Sequence, residues 1–188
     1  MLTPFRNEPL TDFSTPDNRE AFRAALDQVK AEIGRTYPLL IGGEEIYLNE
    51  TFASVNPARP AEVLGYFAKA AVEQAEMAML AALKAFEAWR YVSHSERARY
   101  LLRAAAEMRR RKHEFSAVMV LEVGKSWAEA DADTAEAIDF LEYYARQAIR
   151  LERASDLLTP YAPEQLELQY IPLGVGIVIP PWNFPNAI

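Results

Sequence analysis

Residues 179–188, IPPWNFPNAI, hold the side chains of this sequence that are best placed to do chemistry. The continuous apolar run Val175-Gly176-Ile177-Val178-Ile179 just before them predicts a strand buried on both faces of a parallel sheet. Pro180 and Pro181 lack the N–H that a strand ladder needs, so the strand ends there. Ligands of open α/β sheets bind just beyond the carboxyl ends of strands, which sets Trp182, Asn183 and Phe184 at the rim of a cleft. A carboxamide held on such a stiff backbone can donate to an oxygen that gains negative charge, and losing one such donor costs about 10²- to 10³-fold in rate. The same residues also fit a proline-stiffened turn, with both aromatics in a core and the asparagine closing a local Asx-turn. On residue physics alone the turn is favoured.

Other chemistries are poorly supplied. GVGIVI spaces Gly174 and Gly176 like a dinucleotide fingerprint, but the third glycine falls at Ile179 and prolines replace the helix that should hold pyrophosphate. VGKS at 123–126 ends like a phosphate-binding loop, yet Met119 stands where its first glycine belongs and a helical pattern precedes it. With no cysteine there is no disulfide, thiolate metal site or thiol nucleophile. The two histidines, His94 and His113, fall on polar helix surface and make no metal site.

A formal charge of -7 argues against a nucleic-acid partner. The one basic cluster, Arg109-Arg110-Arg111-Lys112, closes a predicted helix and reads as a solvated helix end that suits the helix dipole. The start MLTPFRNEPL lacks a charged head followed by an apolar run, and no run reaches the roughly 20 residues of a membrane span. These features predict a cytoplasmic protein without a membrane partner, in which the sequon Asn49-Glu50-Thr51 stays unmodified.

The elements that must position the terminal segment follow from periodicity and punctuation. Thr15-Pro16 opens a helix, Phe22, Leu26, Val29 and Ile33 give it an apolar stripe, and Gly34 stops it. PLLIGGEEIYL predicts a hairpin turning at Gly42-Gly43, and strands at 52–55 and 63–67 complete a small antiparallel region over 38–68. Val72, Ala75, Met79, Leu83 and Phe86 stripe the next helix, which ends at Trp89. Ser93 and Glu96 have capping-box spacing before a helix carrying Leu101, Leu102, Ala105 and Met108. A short helix holds Phe115, Val118 and Glu122 and stops at Gly124. The last helix runs from about Ser126 to Arg153, with Ile138, Leu141, Ala145 and Ala148 inward and Glu129, Asp133, Glu136 and Tyr143 on the other side. Beyond it, Leu166, Leu168 and Tyr170 alternate as on a strand.

PWNFP (181–185), VNPARPAEVLG (55–65) and LEVGKSWAEA (121–130) resemble the aldehyde dehydrogenase superfamily. AEAIDFLEYYARQAIR (135–150) and PFRNEP (4–9) are most similar to the 1-pyrroline-5-carboxylate dehydrogenase family, which oxidises L-glutamate γ-semialdehyde to L-glutamate with NAD. The resemblance implies an α/β fold in which a helical block packs on a partial Rossmann-like sheet beside a small β region. Residues 1–37 would form an N-terminal helical arm. Residues 38–155 and 171–188 would belong to the NAD-binding domain, and 156–170 to a flap whose strand (157–170) pairs with a neighbouring subunit in a homo-oligomer.

In that family a cysteine thiolate attacks the aldehyde, and the motif asparagine, here Asn183, holds the oxyanion with a backbone N–H of the nucleophile. The resemblance further implies that Ile179, Pro180, Pro181 and Trp182 line the cofactor channel, although position 180 is often alanine or isoleucine in relatives. Phe184 would pack on the aliphatic part of the substrate, and Glu136 would lie near its α-ammonium. For Glu136 a solvated carboxylate on an acidic face is an equal alternative. Because the chain has no cysteine, it is expected to be the N-terminal part of such an enzyme and inactive by itself. A general aldehyde dehydrogenase and a non-catalytic helical interaction module are the other readings.

Overall fold

The computed structural model describes residues 3–188. Helix α1 (Pro16–Lys30) is followed by strands β1 (Arg35–Tyr37), β2 (Leu39–Ile41), β3 (Glu44–Ile46), β4 (Thr51–Asn56) and β5 (Arg59–Ala68). Helices α2 (Val72–Trp89), α3 (His94–Arg110), α4 (Lys112–Glu122) and α5 (Trp127–Leu151) come next, then a 3₁₀ turn over Ala154–Leu157.

Sequence punctuation accounts for most boundaries. Gly42 and Gly43 have φ of 63° and 90°, and a two-residue turn with both values positive is the one that matches strand twist, so β2 and β3 pair as the predicted hairpin. Ser93 caps α3 by accepting from the Glu96 N–H at 3.1 Å. The full reciprocal box forms instead at the start of α5, between Ser126 and Glu129. Thr15 does not cap α1; its hydroxyl donates to the Asp12 carbonyl.

The strand pairs within residues 38–68 are antiparallel as expected, and β1, just before that range, adds a parallel strand. The three-stranded sheet has the order β1-β5-β4, with β4 antiparallel to β5 and β1 parallel to it. Gly34, at φ 80°, turns the chain after α1, and its N–H donates to the Leu64 carbonyl at 2.9 Å, which sets Arg35–Tyr37 beside β5. The Tyr37 ring then lies on Gly65 and stacks on Phe67 at 4.9 Å. A Cβ at position 65 would approach that ring to 2.8 Å, so the glycine makes room for it.

The core sits where α1 crosses α4. Phe22, Ala25 and Leu26 bury against Ala117 and Leu121, and Phe13 and Trp127 close over Phe22 with ring centroids at 5.2 and 4.7 Å. Helices α3 and α5 pack on each other and bury mostly alanines, Ala98 and Ala105 on one and Ala130, Ala135, Ala137 and Ala145 on the other, with Ile138 the one large apolar side chain buried on α5. In contrast, none of the residues of α2 is buried; Val72, Met79 and Leu83 of its predicted stripe face solvent, as does Leu80 beside them.

Residues 3–12 run along α5 as a strap. The Glu8 N–H and the Asn7 amide both donate to Asp139 at 2.7 Å, and the Thr11 N–H and hydroxyl donate to Asp131 at 2.7 and 2.6 Å. This strap corrects the reading of the basic cluster. Arg109 pairs with Glu8 and Glu142, Arg110 with Glu107, Arg111 with Glu114, and Lys112 reaches the buried Asp131 at 3.0 Å. Local spacing gives no sign that a segment more than a hundred positions away will cross the helix end.

His113 also departs from expectation. It is half-buried edge-on against Phe22 at 5.6 Å, and its Nδ1 is the one buried side-chain polar atom without a hydrogen-bond partner among the described residues. Burial lowers its pKa; nearby Asp131 opposes that shift and Lys112 adds to it. The folded state therefore prefers the neutral imidazole. Its contribution to stability is complete above the unfolded value of about 6.5 and is lost as pH falls through the lower folded value. Replacing His113 with Gln should flatten the fall of the thermal midpoint just below pH of about 6.5, and an unchanged slope there would refute this account.

The two strands predicted near the C-terminus do not form. Residues 158–181 carry no regular structure, and Ile177, Val178 and Ile179 are exposed. A strand buried on both faces exists only between neighbours that satisfy its backbone, and no other described segment lies alongside as a ladder partner. Ser155 tethers the stretch at one point, accepting from the Leu168 N–H at 2.9 Å and donating to its carbonyl at 3.1 Å.

Candidate functional site

The terminal turn returns to the N-terminal half of α5. Gly124, at φ 71°, ends α4 and turns the chain so that Lys125 precedes the Ser126 cap. Two turns into α5 stands Asp133, whose side chain is 1% exposed. The Lys125 Nζ donates to its Oδ2 at 2.5 Å, and its Oδ1 accepts from the Ala187 N–H at 2.9 Å. Beside it, the Asn186 amide donates to the Thr134 hydroxyl at 3.3 Å. Within the segment the Ile188 N–H donates to the Phe184 carbonyl, closing a single helical turn. The Phe184 ring lies under the Lys125 ammonium, 4.7 Å from its centroid.

Periodicity sets Asp133 on the outer face of α5, and the structure corrects this. The stripe rule places apolar residues against neighbouring helices, whereas Asp133 is covered by a cation and a backbone N–H from outside its own helix. Lys125, Asp133, Thr134 and Asn186 are the residues that sequence reasoning missed as anchors. No local pattern joins them.

Among the predicted site residues, Asn183 lies on the exposed corner immediately before the docked turn, and its side chain makes no hydrogen bond to the described residues. Phe184 is partly covered by Lys125. Ile179 and Trp182 are 86% and 87% exposed, and Pro180 and Pro181 between them are exposed too. Glu136 is exposed three residues after Asp133, so it occupies the same helix face about one turn on from the carboxylate that anchors the terminal turn.

The carboxylates of α5 are otherwise committed. Glu129 caps Ser126, Asp131 and Asp139 hold the strap, Asp133 holds the terminal turn, and Glu142 pairs with Arg109 and Arg146. Glu136 alone among them has no hydrogen bond or ion pair to the described residues. The described residues contain no group of His, Cys, Asp and Glu side chains able to hold a metal ion.

The family model for the aldehyde dehydrogenase family matches residues 46–188. The chain belongs to the aldehyde dehydrogenase family. The aldehyde dehydrogenase match begins in β3 and takes in α2 to α5 and the terminal turn. Among curated relatives, a 1-pyrroline-5-carboxylate dehydrogenase of Bacillus pumilus is 54% identical and one of Geobacillus thermodenitrificans 55%. Each alignment covers the whole of this chain and 36% of the relative, so the chain spans little more than a third of their length. Among solved structures, a Thermus 1-pyrroline-5-carboxylate dehydrogenase with bound NAD superposes with a TM-score of 0.94 at 53% identity. That superposition covers 99% of this chain and 36% of the other. A Mycobacterium tuberculosis Δ-pyrroline-5-carboxylate dehydrogenase gives 0.77 at 27% identity, over 87% of this chain and 31% of the other.

Proposed function

We propose that this chain is the N-terminal portion of an NAD-dependent dehydrogenase that oxidises L-glutamate γ-semialdehyde to L-glutamate in proline degradation. The observation that carries the reading is the arrangement on α5. A proline-flanked corner bearing an unbonded carboxamide leads into a turn that docks one helical turn from the only carboxylate of that helix left uncommitted among the described residues.

Each residue of the chain then has a physical task. Asn183 donates its amide N–H to the aldehyde oxygen as that oxygen becomes anionic under attack by a nucleophile, which this chain does not supply. Glu136 offers a full negative charge to the α-ammonium of an amino-acid aldehyde. Phe184 supplies an apolar face to the methylenes between the two. The exposed strip Ile179-Pro180-Pro181-Trp182 is apolar and uncovered, which suits the face of a planar cofactor, and these residues would hold NAD. When bound, NAD supplies a hydride acceptor. The flap over 157–170 carries exposed Leu166, Leu168 and Tyr170 and no pairing of its own, and we assign it to contact between subunits of a cytoplasmic homo-oligomer.

The substrate assignment is tested at Glu136. In a full-length enzyme carrying this chain, Glu136→Gln should raise KM for glutamate semialdehyde about 10- to 100-fold, the scale of one hydrogen bond to a charged group. The same substitution should leave KM for a short aliphatic aldehyde nearly unchanged. Equal losses on both aldehydes would show that Glu136 serves folding and would favour a general aldehyde dehydrogenase.

A further inference from the structure

A donor that must meet a developing oxyanion needs its backbone fixed, yet Asn183 is exposed and unbonded through its side chain to the described residues. Its position is set by the five residues on its C-terminal side. Pro185 restricts the backbone of Phe184, and residues 184–188 close one helical turn. That turn is held at three places, the Asn186 amide on Thr134 and the Ala187 N–H on Asp133 of α5, and the Phe184 ring beneath Lys125 just before the helix.

Two of the three places depend on Lys125. Its ammonium bonds Asp133 at 2.5 Å and lies 4.7 Å from the Phe184 centroid, so one cation serves both ends of the turn. The Lys125 side chain is 17% exposed and that of Asp133 is 1% exposed. Burying a carboxylate so deeply is costly unless it is paired and hydrogen-bonded. Without the ammonium one of its oxygens loses its partner inside the protein, and its hold on the Ala187 N–H weakens. We propose that Lys125 and Asp133 are positioning residues that clamp the terminal turn and thereby aim the Asn183 carboxamide. This inference rests on the oxyanion role proposed for Asn183.

The test is a double-mutant cycle in a full-length enzyme carrying this chain. Lys125→Met should lower kcat about 10- to 100-fold, as expected when a bond to a buried charge is lost, while Kd for NAD moves less than about twofold. Lys125→Arg keeps the charge and the contact with the ring, and should recover most of the loss. In the Asn183→Ala background, Lys125→Met should cost less than about threefold, because residues acting through one another are not additive. Hydrogen exchange at the Ala187 amide should quicken in Lys125→Met while the rest of α5 stays protected. If Lys125→Met does not fold, Asp133→Asn, which keeps the side-chain shape, carries the same cycle.

Full kcat in Lys125→Met, or an undiminished loss in the Asn183→Ala background, would overturn the clamp. Asn183→Ala with full turnover would overturn the proposed function and the clamp together. A large loss in Asn183→Ala beside an unaffected Lys125→Met would sink the clamp alone.

Discussion

Phe22→Ala should lower the unfolding free energy by about 3–5 kcal/mol, the usual cost of emptying a buried aromatic site. Phe22 is fully buried, its ring meets Phe13, Trp127 and His113 within 5.6 Å, and Ala117 and Leu121 of α4 pack around it. Those neighbours come from α1, α4, α5 and the segment before α1, so no single side chain can shift to fill the space. Equilibrium urea unfolding followed by circular dichroism reads the effect as a lower midpoint at unchanged slope. Tyr91→Ala, at a residue 80% exposed, serves as the control and should stay within about 0.5 kcal/mol of wild type. A loss below about 1 kcal/mol at Phe22 would mean that the α1–α4 contact is not the core of this fold.

Local chemistry in the sequence is enough to find every α-helix and the hairpin. Pro16 begins α1, Gly124 ends α4, and Gly42-Gly43 turns β2 into β3, each because backbone geometry at one or two positions leaves few alternatives. The Phe22, Leu26 and Val29 stripe is also readable, since period and burial agree along α1. The features that sequence reasoning misses depend on groups far apart in the chain. His113 and Asp133 look solvated on a helical wheel, but His113 is half-buried against Phe22 and Asp133 is buried beneath Lys125 and Ala187. The basic cluster looks free and is paired, partly through Glu8, about a hundred residues away. The run at 175–179 has the composition of an interior strand, but composition cannot provide the neighbouring strands that would make it one.

The division of labour along α5 has the same physical origin. Its acidic face reads as one solvated surface, yet among the described residues each carboxylate but Glu136 holds another segment of the chain, a neighbouring cation or, for Glu129, the helix's own N-cap. Buried ion pairs of this kind add little net stability, because desolvation offsets attraction. Their use here is positional. Asp131 and Asp139 fix where the strap runs, and Asp133 fixes where the terminal turn sits.

The second large effect is expected at the corner that this turn supports. On the role proposed for Asn183, Asn183→Ala removes a single amide donor that gains strength only as the aldehyde oxygen becomes anionic. In a full-length enzyme it should therefore lower kcat by about 10²- to 10³-fold. On the same proposal, ground-state binding uses other groups, Ile179–Trp182 for NAD and Glu136 for the amino-acid end of the substrate. Kd for NAD should then stay within about twofold, and KM for the aldehyde should change far less than kcat. A structural defect would behave differently, lowering thermal stability and NAD binding along with turnover.

Steady-state NADH formation from glutamate semialdehyde by the full-length enzyme and its Asn183→Ala variant, at saturating substrate and cofactor, decides the matter. The oxyanion role predicts a kcat lower by about two to three orders of magnitude with NAD still bound normally. Turnover equal to wild type would contradict it.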